Sequence, residues 1–196
     1  MIFNDTSSLS AHLATRRSAR PREMQAPFPD PGQLQAMIAQ ASRTPDHGKL
    51  APWRFVIVPA ESRNAFAAVL RKAFLTHNPD ARPAQIEAAE QMAHYPASLI
   101  IALHSPKENA KIHGWEQELS TGAAIMNLLH AGHAAGFVGG WITGWAAYDE
   151  VVRAAFARTE SERIAGFVYF GTPGPALEER DRPDLAQIMT VWTPAA

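Results

Sequence analysis

The sequence predicts an α+β fold in which a small central sheet is surrounded by helices. Three observations carry that reading. Short, strongly apolar runs (WRFVIV, ASLIIAL, RIAGFVYF) are interleaved with longer segments whose apolar residues recur at helical spacing. The intervals between them are too irregular for repeated βαβ units. The chain also has 196 residues, of which 46% are hydrophobic and 19% charged. A chain of that size and composition builds one packed core and buries roughly 70% of its unfolded surface. Residues 1–196 are therefore read as a single domain.

Each element follows from local signals. From Ser7 to about Arg17 the pattern is a short helix, capped by Ser7 or Ser8, with Leu9 and Leu13 on one face. Pro21 keeps Arg20 extended. Asp30 reads as an N-cap and Pro31 as the first residue of a second helix, with Leu34, Met37 and Ile38 on its buried face. Arg43 to Trp53 (RTPDHGKLAPW) holds two prolines and a glycine and reads as a shaped loop. Trp53 to Pro59 is a strand apolar enough to be covered on both faces. A helix over about Glu61 to Thr76 presents Phe66, Val69, Leu70 and Phe74. Another helical segment ends near Ala93, before Pro96, and Ala97 to Leu103 is a second buried strand.

The strongest helical pattern runs from about Trp115 to Ala135. Glu116 and Glu118 suit its first turn, where the helix dipole favours negative charge. Its body is rich in Gly and Ala and apolar on more than one face, so its own domain or another subunit must cover it. GFVGGWITGW supplies a short strand and then glycine-controlled backbone, and Tyr148 to Phe156 a short helix. Arg163 to Pro173 is a strand that Pro173 ends. In the tail, Gln187 to Trp192 reads as an edge or exchanged strand.

Composition excludes several kinds of chemistry. With no cysteine there is no disulfide scaffold, cysteine nucleophile, thiol redox pair or cysteine-held metal centre, so redox work needs a bound cofactor. Eighteen basic against nineteen acidic residues give no global electrostatic case for nucleic acid or an anionic membrane. The start lacks the continuous apolar stretch of a signal peptide, and no run approaches the ~20 residues that span a bilayer. A cytoplasmic location is expected.

Three clusters can carry chemistry. Arg16, Arg17 and Ser18, with Arg20, can hold phosphate through charge-assisted bonds; equally, they are basic residues favoured at a helix C-terminus. Arg43, Pro45, Asp46, His47 and Lys49 lie in a rigid loop entering a strand and can hold a planar polar ligand; in the blander reading Asp46 caps a turn while His47 and Lys49 face water. Gly136, Gly139, Gly140 and Gly144 surround Trp141, Ile142 and Thr143, where bare backbone can approach a flat ligand; the alternative is a tight bend beside a buried Trp. The G-x-G-x-x-G fingerprint, the P-loop and the G-x-S-x-G elbow are absent. His130 and His133 are three apart on a helix, without an H-E-x-x-H signature, and read as helix histidines rather than zinc ligands. Glu116 and Glu118, two apart, face different directions and are no acid–base pair.

Taken in order, RRSARP, SRTPDHGKLAPWRF, WEQELSTGAAIMNLLHAGHAAGFVGGW and GFVYFGTP resemble the nitroreductase family, most closely its small bacterial branch. The resemblance extends from near the N-terminus to about Pro173. It implies a nitroreductase-like α+β fold with a small central mixed sheet, assembled as an obligate homodimer with two active sites in the interface. It also implies FMN as cofactor, NADH or NADPH as electron donor, and a nitroaromatic, quinone or related small molecule as acceptor, reduced in a ping-pong sequence. Arg16, Arg17 and Ser18 match the family's N-terminal FMN-binding motif. Arg43 and His47 match a second cofactor-contacting segment, presented to the site that the other subunit completes. Trp141, Ile142 and Thr143 match the backbone segment beside the flavin; close relatives can carry an Arg-Ser pair where this chain has Ile142-Thr143. The long Gly/Ala-rich helix matches one that helps form the dimer. The divergent tail receives no cofactor role, and no side chain is assigned as catalytic. The rival readings are a flavin- or nucleotide-binding protein that senses or stores cofactor without turnover, and a cofactor-free dimeric scaffold.

Overall fold

Four strands organise the computed structural model, which describes residues 2–108 and 111–194. They are β1 (Trp53–Val58), β2 (Ser98–His104), β3 (Val138–Ile142) and β4 (Arg163–Gly171). Their order across the sheet is β1-β2-β4-β3, and each pairing is antiparallel. The expected mixed sheet is thus antiparallel among the described residues. The reason lies in the chain path. β2 and β3 run the same way, but β4 enters between them, so the two codirectional strands are never neighbours.

Position in the sheet decides burial. β2 and β4 are central and almost wholly buried, as their unbroken apolar runs predict. Successive side chains go to opposite faces. Leu99, Ile101, Leu103, Phe167 and Tyr169 pack on one side; Ile100, Ala102, Val168 and Phe170 pack on the other. β1 lies on an edge instead, and its first four residues are only half-buried, so the expected cover on both faces is not complete.

Helices fill both faces. α1 (Leu9–Thr15) is capped by Ser8, whose Oγ accepts the Ala11 N–H at 3.0 Å. It stops before the expected Arg17 because Arg16 is already extended. α2 (Pro31–Ala41) starts where Asp30 and Gln33 form a reciprocal capping box, and buries Leu34 and Met37 with Ile38 beside them. α3 (Arg63–His77) lays Phe66, Leu70 and Ala73 on the first face. α4 (Pro83–Glu90) runs through a 3₁₀ turn to His94. α5 (Gly114–Ala134) packs Ile125, Leu128 and Ala131 against α2 and the second face. At Gly132 this helix approaches so closely that a Cβ would overlap the Phe170 ring. Another stripe of α5 stays open, with Trp115 66% and Leu119 55% exposed. Leu9 and Leu13 on α1 are likewise exposed.

α6 (Glu150–Phe156) begins two residues later than expected, because Asp149 is extended and its carboxylate accepts the N–H groups of Val151 and Val152. In the tail, Gln187 lies in a single helical turn, α7 (Leu185–Ile188), and not in a strand. Asp184 accepts the Ala186 N–H and so favours the turn locally. Among the described residues, no strand forms beyond it. Nor is any helix long and apolar enough to cross a membrane.

Candidate functional site

The first and third sequence clusters meet in space. After α1 the chain runs extended beside β3, where the Ala19 N–H donates to the Gly139 carbonyl at 3.1 Å. A Cβ at Gly140 would stand 2.6 Å from the Ala19 carbonyl oxygen, so bare backbone is what allows this approach. Along an antiparallel edge strand, backbone groups alternate between the paired side and the open side. Since Gly139 turns its carbonyl outward to Ala19, the Trp141 backbone faces that same open edge and the Ile142 backbone faces β4.

Charge is concentrated along the extended segment. Arg16 Nη1 donates to Ser18 Oγ at 3.3 Å. Burial, and then the neighbouring guanidiniums of Arg182 and Arg17, hold Arg16 below the usual arginine range, although a guanidinium stays charged at any ordinary pH. Arg17 Nε donates to the Glu178 carbonyl at 2.6 Å and lies 3.8 Å from the Glu179 carboxylate. That carboxylate also accepts from Arg182 Nη2 at 2.9 Å. A pocket of about 310 Å³ opens between Arg17, Ser18, Ala19 and Arg20 on one wall and the 174–178 segment on the other.

The side chains beyond Gly140 are occupied. Trp141 donates its indole N–H to the Ala165 carbonyl at 3.1 Å and lies over Gly166, where a Cβ would collide with the ring. Ile142 packs into the core. Thr143 follows the strand end and is exposed. Gly144, at φ 77°, then turns the chain.

The loop cluster is built by unusual backbone. Gly48, Lys49 and Ala51 all have positive φ, and the Asp46 carboxylate clasps the bend by accepting the Ala51 N–H at 2.7 Å. Left-handed conformations in non-glycine residues persist only where the surroundings enforce them. Asp46 is therefore the turn cap that its blander reading predicted. His47 Nδ1 lies 2.8 Å from Glu116 Oε2, tying the loop to the first turn of α5; this bond holds the Glu116 carboxyl below its ordinary range. Arg43 is exposed and lines a second pocket, of about 420 Å³, with His12, Gln40, Asn127 and His130. Among the described residues, no hydrogen bond or ion pair joins Arg43 or His47 to the Arg16–Ser18 segment. One chain thus carries two separate clusters.

Residues 13–172 match the model of the Nitroreductase family. The chain belongs to that family. It is 38% identical over 162 residues to the Escherichia coli K12 protein named "Putative NAD(P)H nitroreductase YdjA", covering 82% of this chain and 86% of the relative. Among solved structures, a nitroreductase-like family protein from Bacillus cereus superposes with a TM-score of 0.79 at 17% identity, over 94% of this chain and 96% of that one. A nitroreductase with bound FMN from Bacteroides fragilis gives a TM-score of 0.66 at 20% identity, over 92% and 96%.

The nitroreductase match takes in both clusters and all four strands, and it stops before the tail. That boundary explains the residue that sequence reasoning missed. Arg182 lies beyond the match, yet its Nη2 sits 3.5 Å from the Arg16 carbonyl oxygen and its charge acts on the Arg16 guanidinium. The run EERDRPD carries no periodic signal that would send one of its arginines there. Its two arginines sit among four acidic residues, which hides them from a reading of local charge.

Proposed function

We propose that this nitroreductase-family protein is an FMN-dependent NAD(P)H oxidoreductase that reduces nitroaromatic, quinone or related acceptors. We propose also that it works as a homodimer with two sites in the interface. The observation that carries the reading is the docking of the Arg16–Arg17–Ser18 segment on Gly139–Gly140, which gathers two arginines, the Ser18 hydroxyl and Arg182 beside exposed backbone. This donor set fits a flavin phosphate. Guanidiniums pair with phosphate oxygens in a planar fork, and the Glu179 carboxylate is an oxyanion already seated against Arg17 and Arg182. Gly140 lets the Ala19–Pro21 segment lie against β3, which sets the arginines beside the open Trp141 backbone.

Held by these residues, FMN would supply the redox chemistry that links a nicotinamide donor to the acceptor. The chain's own residues bind and orient. Arg16, Arg17 and Ser18 hold the phosphate, with Arg182 as a fourth contributor. The Trp141 backbone, turned to the open edge, offers its N–H and carbonyl, and Thr143 follows it beyond the strand end, while the Ile142 backbone is engaged with β4 and only holds the strand in place. Arg43 and His47, separate from the first cluster within one chain, serve the site of the partner subunit. The open apolar stripe of α5, Trp115 and Leu119, supports an assembly that covers it.

The test is an absorbance spectrum of freshly purified protein followed by anaerobic titration with NADH and NADPH. Flavin bands that bleach with either donor support the reductase. Oxidised flavin persisting under both would instead indicate a flavin-binding or sensing protein. A protein that neither carries nor binds FMN would overturn the flavin site altogether. Arg16→Ala and Arg43→Ala should each weaken FMN retention more than they weaken folding.

A further inference from the structure

We propose that His12, His130 and His133 form a binding site for a divalent transition-metal ion of the zinc class. Helix spacing alone puts His130 and His133 on one face of α5. The fold adds His12 from α1, 118 residues away from His130. His12 Nε2 lies 2.8 Å from His130 Nδ1 and 3.4 Å from His133 Nδ1, and one ligand nitrogen from each of the three falls within 4.8 Å of the others. A tetrahedral ion held at 2.0–2.1 Å by imidazole nitrogens separates those nitrogens by about 3.3 Å. The 2.8 and 3.4 Å separations lie within about 0.5 Å of that spacing, and the third is no more than 4.8 Å.

Proton bookkeeping shows why these rings suit a cation better than one another. A neutral imidazole has one N–H and one lone pair. His12 Nε2 faces two partners, so as donor it serves one lone pair and as acceptor it receives with only one. Meanwhile His12 Nδ1 and His133 Nε2 are buried without a hydrogen-bond partner among the described residues. An ion that bonds through nitrogen takes all three lone pairs together.

The ligand set selects the ion. It contains no carboxylate, which disfavours calcium and magnesium, ions held by oxygen ligands. Three imidazoles suit zinc, nickel or copper. His12 and His130 line the 420 Å³ pocket with Ser8, Gln40, Arg43 and Asn127, so the ion has an entry path. Bound there, it fastens α1 to α5, and α1 leads directly into Arg16.

The experiment uses tag-free, full-length protein, stripped with a chelator and dialysed. Zn²⁺ is titrated by calorimetry and Co²⁺ by visible ligand-field absorption. The expected result is one ion per chain with a Kd of about 1 µM or tighter. His130→Ala, at the half-buried ring, and His12→Gln should each weaken binding beyond the roughly 10–100-fold that loss of an outer-shell partner costs. Zn²⁺ should raise the melting temperature of the parent protein and not of the variants. X-ray absorption of the zinc-loaded parent keeps the test independent of how the variants fold, and should report three nitrogen donors at 2.0–2.1 Å. Absence of saturable binding, binding unchanged in both variants, or a shell of oxygen donors would each overturn the site.

Discussion

Gly140→Ala is the smallest change that separates the two halves of the candidate flavin site. The added methyl would stand 2.6 Å from the Ala19 carbonyl oxygen, about 0.8 Å inside ordinary contact at 3.4 Å, with Pro21 at 3.4 Å. The obstructing atom is backbone, so no side chain can rotate away. Gly140 itself has ordinary dihedral angles, which makes the effect steric and not conformational. The segment must retreat, stretching the 3.1 Å bond from Ala19 to Gly139. Losing that bond costs about 1 kcal/mol and overpacking about 1–3 kcal/mol. At roughly 2–4 °C per kcal/mol for a chain of this length, the melting temperature should fall by about 5–15 °C. FMN affinity should fall at least about tenfold, because even one misaligned charge-assisted bond is worth roughly 1.5–3 kcal/mol. Differential scanning calorimetry and fluorescence titration of FMN read the two effects. Gly122→Ala is the comparison: within one chain its Cβ meets nothing within 4 Å, and Ala gains up to about 1 kcal/mol of helix propensity. A Gly140→Ala protein with parental melting temperature and parental FMN affinity would refute the proposed backbone contact.

Other perturbations probe different parts. Glu162 accepts a two-point contact from Arg54, at 3.0 and 2.6 Å, and its carboxyl is lowered to about 2 chiefly by that pair; Glu162→Gln should cost about 3 kcal/mol by leaving a poorly exposed guanidinium uncompensated. Because the folded pKa is depressed, this contribution is complete above the unfolded value near 4.5 and is lost as pH falls toward 2. The melting-temperature gap between parent and variant should therefore close in acid, and a gap constant with pH would contradict the assignment. Leu119→Lys places a charge on the open stripe of α5 and should weaken the proposed homodimer, read as a shift toward monomer in sedimentation. Arg182→Ala should weaken FMN retention while leaving the melting temperature of the flavin-free protein within about 2 °C, since exposed ion pairs contribute little.

Much of this architecture is written in short-range signals. Asp30, Pro31 and Gln33 specify the start of α2 within four residues, and the apolar runs of β2 and β4 announce strands buried on both faces. The direction of strand pairing was not legible, because it depends on β4 entering between two strands that precede it in the chain. The same holds for the site. Arg16 and Ser18 are marked locally, but their approach to Gly140 is a tertiary contact, and Arg182 reaches Arg16 from 166 residues away. Trp141 lies in a glycine-flanked segment visible in the sequence, yet nothing local shows that its indole N–H is committed to Ala165. His130 and His133 looked ordinary on their own helix. Only the fold supplies His12.

The insertion of β4 between β2 and β3 has a consequence for how the chain acquires its structure. During synthesis, β2, α5 and β3 emerge before the strand that joins them. Until residues 163–171 arrive, both strands that flank the gap must expose apolar edges with unpaired backbone groups. Central, late and non-local pairing of this kind slows folding and leaves the nascent chain open to association with others. The last strand to be made is the keystone of the sheet, so truncations before Arg163 should yield aggregates and not smaller folded proteins.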